Sequence, residues 1–267
     1  MKSKIPYLIL SCVLSVSCGK KESSPGKKKV RITEEQIEYV MQNQIIECDA
    51  PNASSCPAGV SRLLILNKED ADQSHICSGF MVGPNTLVTN NHCVSNLTEC
   101  ESTHVAIYNG GGYQIARCAE IIKTVDQNKL ATDPTRDQDY TVLRIDTTYE
   151  GEFLNVSPNR ANPNDQVTAW VVDHTGVDSK EPNLLEFRIT ELNCEVEDQS
   201  EYKSLVARNC PVVSGNSGSP LLGAEGVVGV IWGATNTKLN AATDLETRRA
   251  SGGKAIVTES FHFLPYL

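Results

Sequence analysis

The sequence predicts an all-β fold of the barrel or sandwich class, and two observations carry that prediction. Short β-rich runs recur from about residue 57, separated by Gly, Pro, Asn and Asp. No long helical pattern intervenes between them; separately, 10 cysteines in 267 residues provide for disulfide bracing. The expected strands are Arg62–Leu66, Cys77–Val82, Thr86–Thr89, His104–Tyr108, Tyr140–Ile145, Val167–Val172, Leu185–Ile189, Val227–Trp232 and Ala255–Thr258. The length allows one large or two small domains, and no internal repeat is visible.

The chain opens with an export signature. Lys2 and Lys4 precede the mostly apolar stretch Ile5 to Val16, which is too short to cross a bilayer as a mature helix, so residues 1–17 read as a signal peptide. Leu14-Ser15-Val16-Ser17-Cys18 resembles a bacterial lipoprotein cleavage box, in which Cys18 becomes the lipidated first residue. Ordinary cleavage would instead leave Cys18 a plain cysteine. Loss of Cys12 and lipidation of Cys18 leave eight cysteines, an even set with about 105 possible pairings. Disulfides of that density belong to an oxidising compartment, so the protein is expected to be exported, either lipid-anchored at a bacterial cell envelope or secreted. Residues 18–29 hold no large apolar side chain and are expected to form a lipidated, flexible tether whose lysines could lie near anionic headgroups.

Residues 30–56 form a segment of different texture. Thr33 followed by Gln36 is a capping-box pattern, and Ile37, Val40, Met41 and Ile45 recur at helical spacing. These predict a short helix near 34–46, either a strap packed on the main domain or a pro-segment. Cys48 and Cys56 enclose a Pro/Asn/Ser-rich stretch and are expected to pair. Residues 57–267 are the main domain.

Residues 1–31 carry eight basic side chains and one acid, which leaves 16 basic against 32 acidic residues in the remainder. A body that acidic repels phosphate backbones, so nucleic acid is excluded as a partner.

Three motifs carry chemistry. In the first, Cys77-Ser78-Gly79-Phe80-Met81-Val82 and Thr86-Leu87-Val88-Thr89 flank a Gly-Pro-Asn turn and lead into Asn90-Asn91-His92-Cys93. A Cys77–Cys93 bridge would close a loop of about 15 residues, worth roughly 3 kcal/mol in the chain-entropy model, and would mount the imidazole rigidly. The second is Gly215-Asn216-Ser217-Gly218-Ser219-Pro220, where a sharp turn presents a serine and lets the Gly215 and Ser217 amides converge as an oxyanion hole. The third is Asp139-Tyr140-Thr141-Val142-Leu143, an acid at the head of a strand that could orient the His92 ring. Asp133, Asp137 and Asp146 compete for that role. His75, His104, His174 and His262 read as structural or surface residues.

Together, in the order His…Asp…Ser, these motifs closely resemble the chymotrypsin/trypsin-like serine peptidases. The family's Thr-Ala-Ala-His-Cys stands here as Thr89-Asn90-Asn91-His92-Cys93, its Asp-Ile-Ala-Leu-Leu as Asp139 to Leu143, and its Gly-Asp-Ser-Gly-Gly-Pro as Gly215 to Pro220. Ile231-Trp232-Gly233 corresponds to the Ser-Trp-Gly that lines the substrate cleft. The resemblance covers roughly 57–267. It implies two six-stranded antiparallel β-barrels (about 57–150 and 151–267) behind a short N-terminal helix, with His92, Asp139 and Ser217 as a catalytic triad at their junction. It also implies endopeptidase activity on protein or peptide substrates, with no cofactor and no metal. A monomer is expected.

Departures from the family bear on regulation and specificity. Asn216 replaces the acid that pairs with a newly freed amino terminus in many members, so that activation switch should be missing. Pro211 stands where trypsin-like members place a pocket Asp. Val212 and Ile231 stand where glutamyl endopeptidases place Thr and His. The expected primary pocket, around Pro211, Val212, Ile231, Trp232 and Gly233, is therefore small or apolar. Cys194 and Cys210 are expected to brace the loop before Ser217, leaving Cys100 with Cys118 by elimination.

Two rivals differ in class. An α/β hydrolase with Ser217, Asp244 and His262 would need a Gly-x-Ser-x-Gly elbow, but position 219 is Ser, and alternating strands and helices are missing. The other is a catalytically inactive peptidase-like binding module on the cell envelope, which would not react with a fluorophosphonate. For a metal enzyme there is neither His-Glu-x-x-His nor a Cys-x-x-Cys pair.

Overall fold

The β-rich runs fold into two barrels because each strand carries apolar side chains on the face it turns inward. The protein is seen here in a computed structural model that describes residues 31–42, 44–48, 56–69, 74–125, 138–174, 185–197, 204–235 and 245–267. The expected signal peptide and tether, and with them Cys18, Asp133, Asp137 and Asp244, lie outside the described residues. The first barrel closes from β2 (Val60–Ile65), β3 (His75–Met81), β4 (Thr86–Thr89), β5 (Thr103–Tyr108), β6 (Tyr113–Thr124) and β7 (Thr141–Ile145) in the order β2-β3-β4-β7-β6-β5. Leu63, Ile65, Met81, Leu87, Val105, Ile107, Leu143 and Ile145 share its core.

The second barrel uses β8 (Gln166–His174), β9 (Leu185–Val196), β10 (Leu205–Arg208), β11 (Pro220–Gly223), β12 (Gly226–Ala234) and β13 (Ala255–Glu259). Its order is β9-β10-β13-β12-β11-β8, and pairing of β8 with β9 closes the ring. Val167, Val171, Leu192, Leu205, Leu221, Ile231 and Val257 fill it. The fold is thus all-β, with two closed six-stranded antiparallel barrels of the chymotrypsin type. Layers of alternating helix and parallel strand, which an α/β hydrolase requires, are missing among the described residues. The barrels meet through Phe80, Val88, Tyr140 and Val142 of the first and Val227, Val230 and Phe263 of the second side.

The amino-terminal segment departs from its prediction. Helix α1 spans Glu34–Gln42 rather than 34–46. Its start is the expected capping box: Gln36 N–H donates to Thr33 Oγ1 (3.3 Å) and Thr33 N–H to Gln36 Oε1 (2.9 Å). Ile45 continues the helical spacing, yet it and Ile46 are β-branched and lie in β1 (Gln44–Cys48), which adds to β9 in parallel, Gln44 opposite Leu185 and Cys48 opposite Ile189. Ile37, Val40 and Met41 pack with Val60 and Leu64 of one barrel and with Trp170, Val172 and Phe187 of the other. The segment therefore straps both barrels.

All four expected disulfides form: Cys48–Cys56, Cys77–Cys93, Cys100–Cys118 and Cys194–Cys210. Cys100 lies on a one-turn helix α2 (Leu97–Glu101), which the sequence did not announce and which the Cys118 bridge pins to β6. Bridges of this number fit an exported chain folded under oxidising conditions. No helix among the described residues is long and apolar enough to cross a membrane.

Candidate active site

His92 and Asp139 meet within the first barrel. His92 follows β4, and Asp139 stands just before β7, the strand with which β4 pairs through Thr89 and Thr141. The ring Nδ1 lies 2.7 Å from Asp139 Oδ2, and the His92 amide donates to Asp139 Oδ1 at 3.0 Å. The Asp139 side chain is 1% exposed and that of His92 23% exposed. A buried carboxylate on Nδ1 makes that nitrogen the proton donor, so a neutral ring keeps its acceptor at Nε2. Of the competing acids among the described residues, Asp146 is engaged elsewhere, accepting from the Arg117 amide at 2.8 Å.

The two asparagines before His92, where the resembling family has alanines, hold the pair in place. Asn90 Nδ2 donates to the Asp139 carbonyl (2.7 Å), and Asn91 Nδ2 donates to the Val125 carbonyl (2.9 Å). A polar pair directly before the histidine was the signal available for this. Beside Asp139, Tyr140 packs against Phe263 and Tyr266. Burial first, and Tyr266 second, push its hydroxyl up to about 12.

Ser217 belongs to the second barrel but is bonded to the first. The Ser78 amide on β3 donates to the Ser217 carbonyl at 2.7 Å, and Ser78 Oγ donates to the Gly215 carbonyl at 3.0 Å. Thr89 Oγ1 in turn donates to the Ser78 carbonyl (2.8 Å). Gly218 has φ +92°, and a Cβ there would lie 1.8 Å from the Ser78 carbonyl oxygen, so only glycine permits this approach. Gly215 also has positive φ, +93°. Ser78 adjoins Cys77, whose disulfide sulfur lies within 4.8 Å of a His92 ring nitrogen. Strand β3 thus brings the Ser217 turn and the His92 mount to one place. Ser78 has no sequence signal, because its partners in the Ser217 turn lie more than a hundred residues away; Thr89 opens the His92 motif, but its bond to Ser78 could not be read there.

The remaining residues singled out in the sequence flank the same turn. Ile231 receives the Gly218 amide on its carbonyl (2.8 Å) and donates its own amide to Ser219 (2.9 Å), which places Ile231, Trp232 and Gly233 beside Ser217. The register slips between Ile231 and Gly233, so β12 bulges at Trp232. Pro211 and Val212 follow Cys210, whose amide donates to the Gly253 carbonyl at 2.7 Å. Val212 and Ile231 turn their side chains into the second barrel's core. Of the other histidines, His75 contacts the Cys93 carbonyl through Nε2 (3.1 Å), His104 is buried on β5, and His262 packs against Phe261. Burial is the main cause that lowers the His104 pKa.

Residues 77–230 match the family model of the trypsin-like peptidase domain. The chain belongs to that family. As a trypsin-like peptidase domain it is similar in fold to a solved structure, kallikrein-related peptidase 10 in complex with Zn2+. The TM-score is 0.53 at 16% identity, covering 81% of this chain and 96% of that one. At that identity the likeness speaks to fold alone. No curated protein matches the sequence. Within a trypsin-like peptidase domain, a histidine oriented by a buried carboxylate and a serine turn with two positive-φ glycines have the chemistry of acyl transfer.

Proposed function

We propose that the protein is a serine endopeptidase in which Ser217 is the nucleophile, His92 the general base and then acid, and Asp139 the group that orients His92. The observation that carries this reading is the 2.7 Å contact between His92 Nδ1 and a fully buried Asp139, on the barrel whose β3 also holds the Ser217 turn. Ser217 Oγ attacks a peptide carbonyl carbon while its proton passes to His92 Nε2. The amides of Gly215 and Ser217 receive the oxyanion. Collapse expels the amine, which takes the proton from His92. Water, deprotonated by the same nitrogen, then hydrolyses the acyl-enzyme. The primary pocket is small or apolar, opening beside the partly exposed Trp232 and Gly233 and backed by Pro211, Val212 and Ile231, which are buried; the substrate is protein or peptide. The protein works outside the cytoplasm, tethered through a lipid on Cys18 and held at a distance by residues 19–29. It comprises a strap (30–56) and a peptidase domain (57–267).

A fluorophosphonate probe tests the assignment. The wild type should label at Ser217, and Ser217→Ala should abolish labelling and lower turnover by roughly a million-fold, as in another serine peptidase with an equivalent triad. Absence of labelling in the folded wild type would instead identify a catalytically inactive binding module. Peptide-library profiling tests the pocket: cleavage mainly after small or apolar residues is expected, and cleavage mainly after Lys, Arg, Glu or Asp would refute it.

A further inference from the structure

Behind the Ser217 turn lies a buried polar chain that the triad does not use. Asn216, between Gly215 and Ser217, spends both ends of its amide inward. Its Oδ1 accepts from the Val213 amide (2.9 Å), while its Nδ2 donates to Asp173 Oδ1 (3.1 Å) and the Val172 carbonyl (3.3 Å). Asp173, near the end of β8, is gripped by Arg248 through Nη1 to Oδ1 (3.1 Å) and Nη2 to Oδ2 (2.5 Å). Arg248 comes from helix α3 (Leu245–Ala250). Asn216, Asp173 and Arg248 are 1%, 5% and 3% exposed.

We propose that Asp173 and Arg248 are positioning residues that hold the 213–218 turn in its working shape, a role that rests on the peptidase reading above. The two amides proposed to bind the oxyanion flank Asn216, so the direction of its side chain sets where they point. That direction depends on a carboxylate acceptor at Asp173. A carboxylate so deeply buried needs a cation, and the bidentate guanidinium of Arg248 supplies it. The chain also explains why position 216 is Asn: an acid there would set its oxygens against Asp173 and the Val172 carbonyl. The turn is therefore held by the docking of α3 rather than by a newly cut amino terminus.

The experiment compares Arg248→Met and Arg248→Lys with wild type in the full chain. It measures kcat and KM on a peptide substrate, the affinity for a peptide boronate that forms a tetrahedral adduct, and amide hydrogen exchange over 212–219. Arg248→Met should lower kcat about tenfold to a hundredfold, with KM within about twofold and boronate affinity falling alongside kcat, as expected when oxyanion donors are misplaced. Exchange over 212–219 should speed up while the first-barrel strands stay protected. Arg248→Lys should recover a substantial part. If Arg248→Met does not fold, Asp173→Leu with Arg248→Met, which strands no charge, replaces it and should show the same kcat loss. Unchanged kcat and unchanged exchange over 212–219 would overturn the proposal, as would a loss spread evenly over both barrels. If the wild type neither cleaves peptide nor takes up a fluorophosphonate, the peptidase reading fails instead, and exchange over 212–219 still decides the positioning role.

Discussion

Arg62 and Arg248 are both arginines withdrawn from water, and their surroundings could hardly differ more. Arg248 meets Asp173 with two parallel hydrogen bonds; only its Nε lacks a hydrogen-bond partner among the described residues. Arg62, on β2 beneath the strap, is 1% exposed, and none of its three guanidinium nitrogens has such a partner. Among the described residues it is compensated by the face of Phe187, whose ring centroid lies 3.1 Å from the guanidinium carbon. Burial drives its pKa well below the ordinary arginine value. A buried charge is tolerable when a fixed counter-charge meets it and costly when only a ring does. The paired arginine stands behind the Ser217 turn and the unpaired one at the barrel–strap interface.

The largest effect that would test this contrast is loss of the paired cation. Arg248→Met should cost about 3–5 kcal/mol, because it leaves the buried Asp173 carboxylate without its cation, and Asp173→Leu together with Arg248→Met should recover most of it. Urea unfolding with the disulfides intact measures both. A cost below about 1 kcal/mol would break the comparison. Tyr140 offers an intermediate case, a buried group that is neutral until it ionises. Its folded pKa is raised to about 12. The stability it lends is complete below the ordinary tyrosine pKa of about 10, and about 2–3 kcal/mol is lost as the pH climbs through 12. Tyr140→Phe should flatten that alkaline decline, seen as a smaller shift of urea midpoint between neutral pH and pH about 11.5. The smallest effect has the opposite sign. Arg62→Met should stabilise by about 1–2 kcal/mol, since a flexible apolar chain fills the same space with no charge to desolvate. A destabilising outcome would mean that Phe187 compensates the cation better than its geometry indicates.

How much of this could be read beforehand followed chain distance. Thr89 to Cys93, Asp139 to Leu143 and Gly215 to Pro220 are contiguous, so their chemistry was legible, and the barrels followed from the resemblance those motifs carry. Cys77–Cys93 was legible from the motif that carries His92, Cys48–Cys56 from the stretch the pair encloses and Cys194–Cys210 from its place before Ser217, whereas Cys100–Cys118 followed only by elimination. Strands β6, β10 and β11 were not. In Tyr113–Thr124 charged residues interrupt the apolar pattern, Leu205–Arg208 is only four residues long, and Pro220 opens β11. Ile45 fitted a helical period, and only its register against β9 reveals a strand. Asp173 and Arg248 are separated by 75 positions, and neither lies in a recognisable pattern, so only the fold brings them to Asn216.

The bridge between Cys48 and Cys56 has a consequence for how the chain could be processed. A proteolytic nick anywhere in 49–55 would sever the backbone between strap and barrels yet release nothing, because the sulfurs span the cut. The product would be a two-chain protein, migrating as one species without reductant and as two with it. Shedding of residues 31–48 after such a nick would require both a reducing agent and extraction of Ile37 and Met41 from between the barrels.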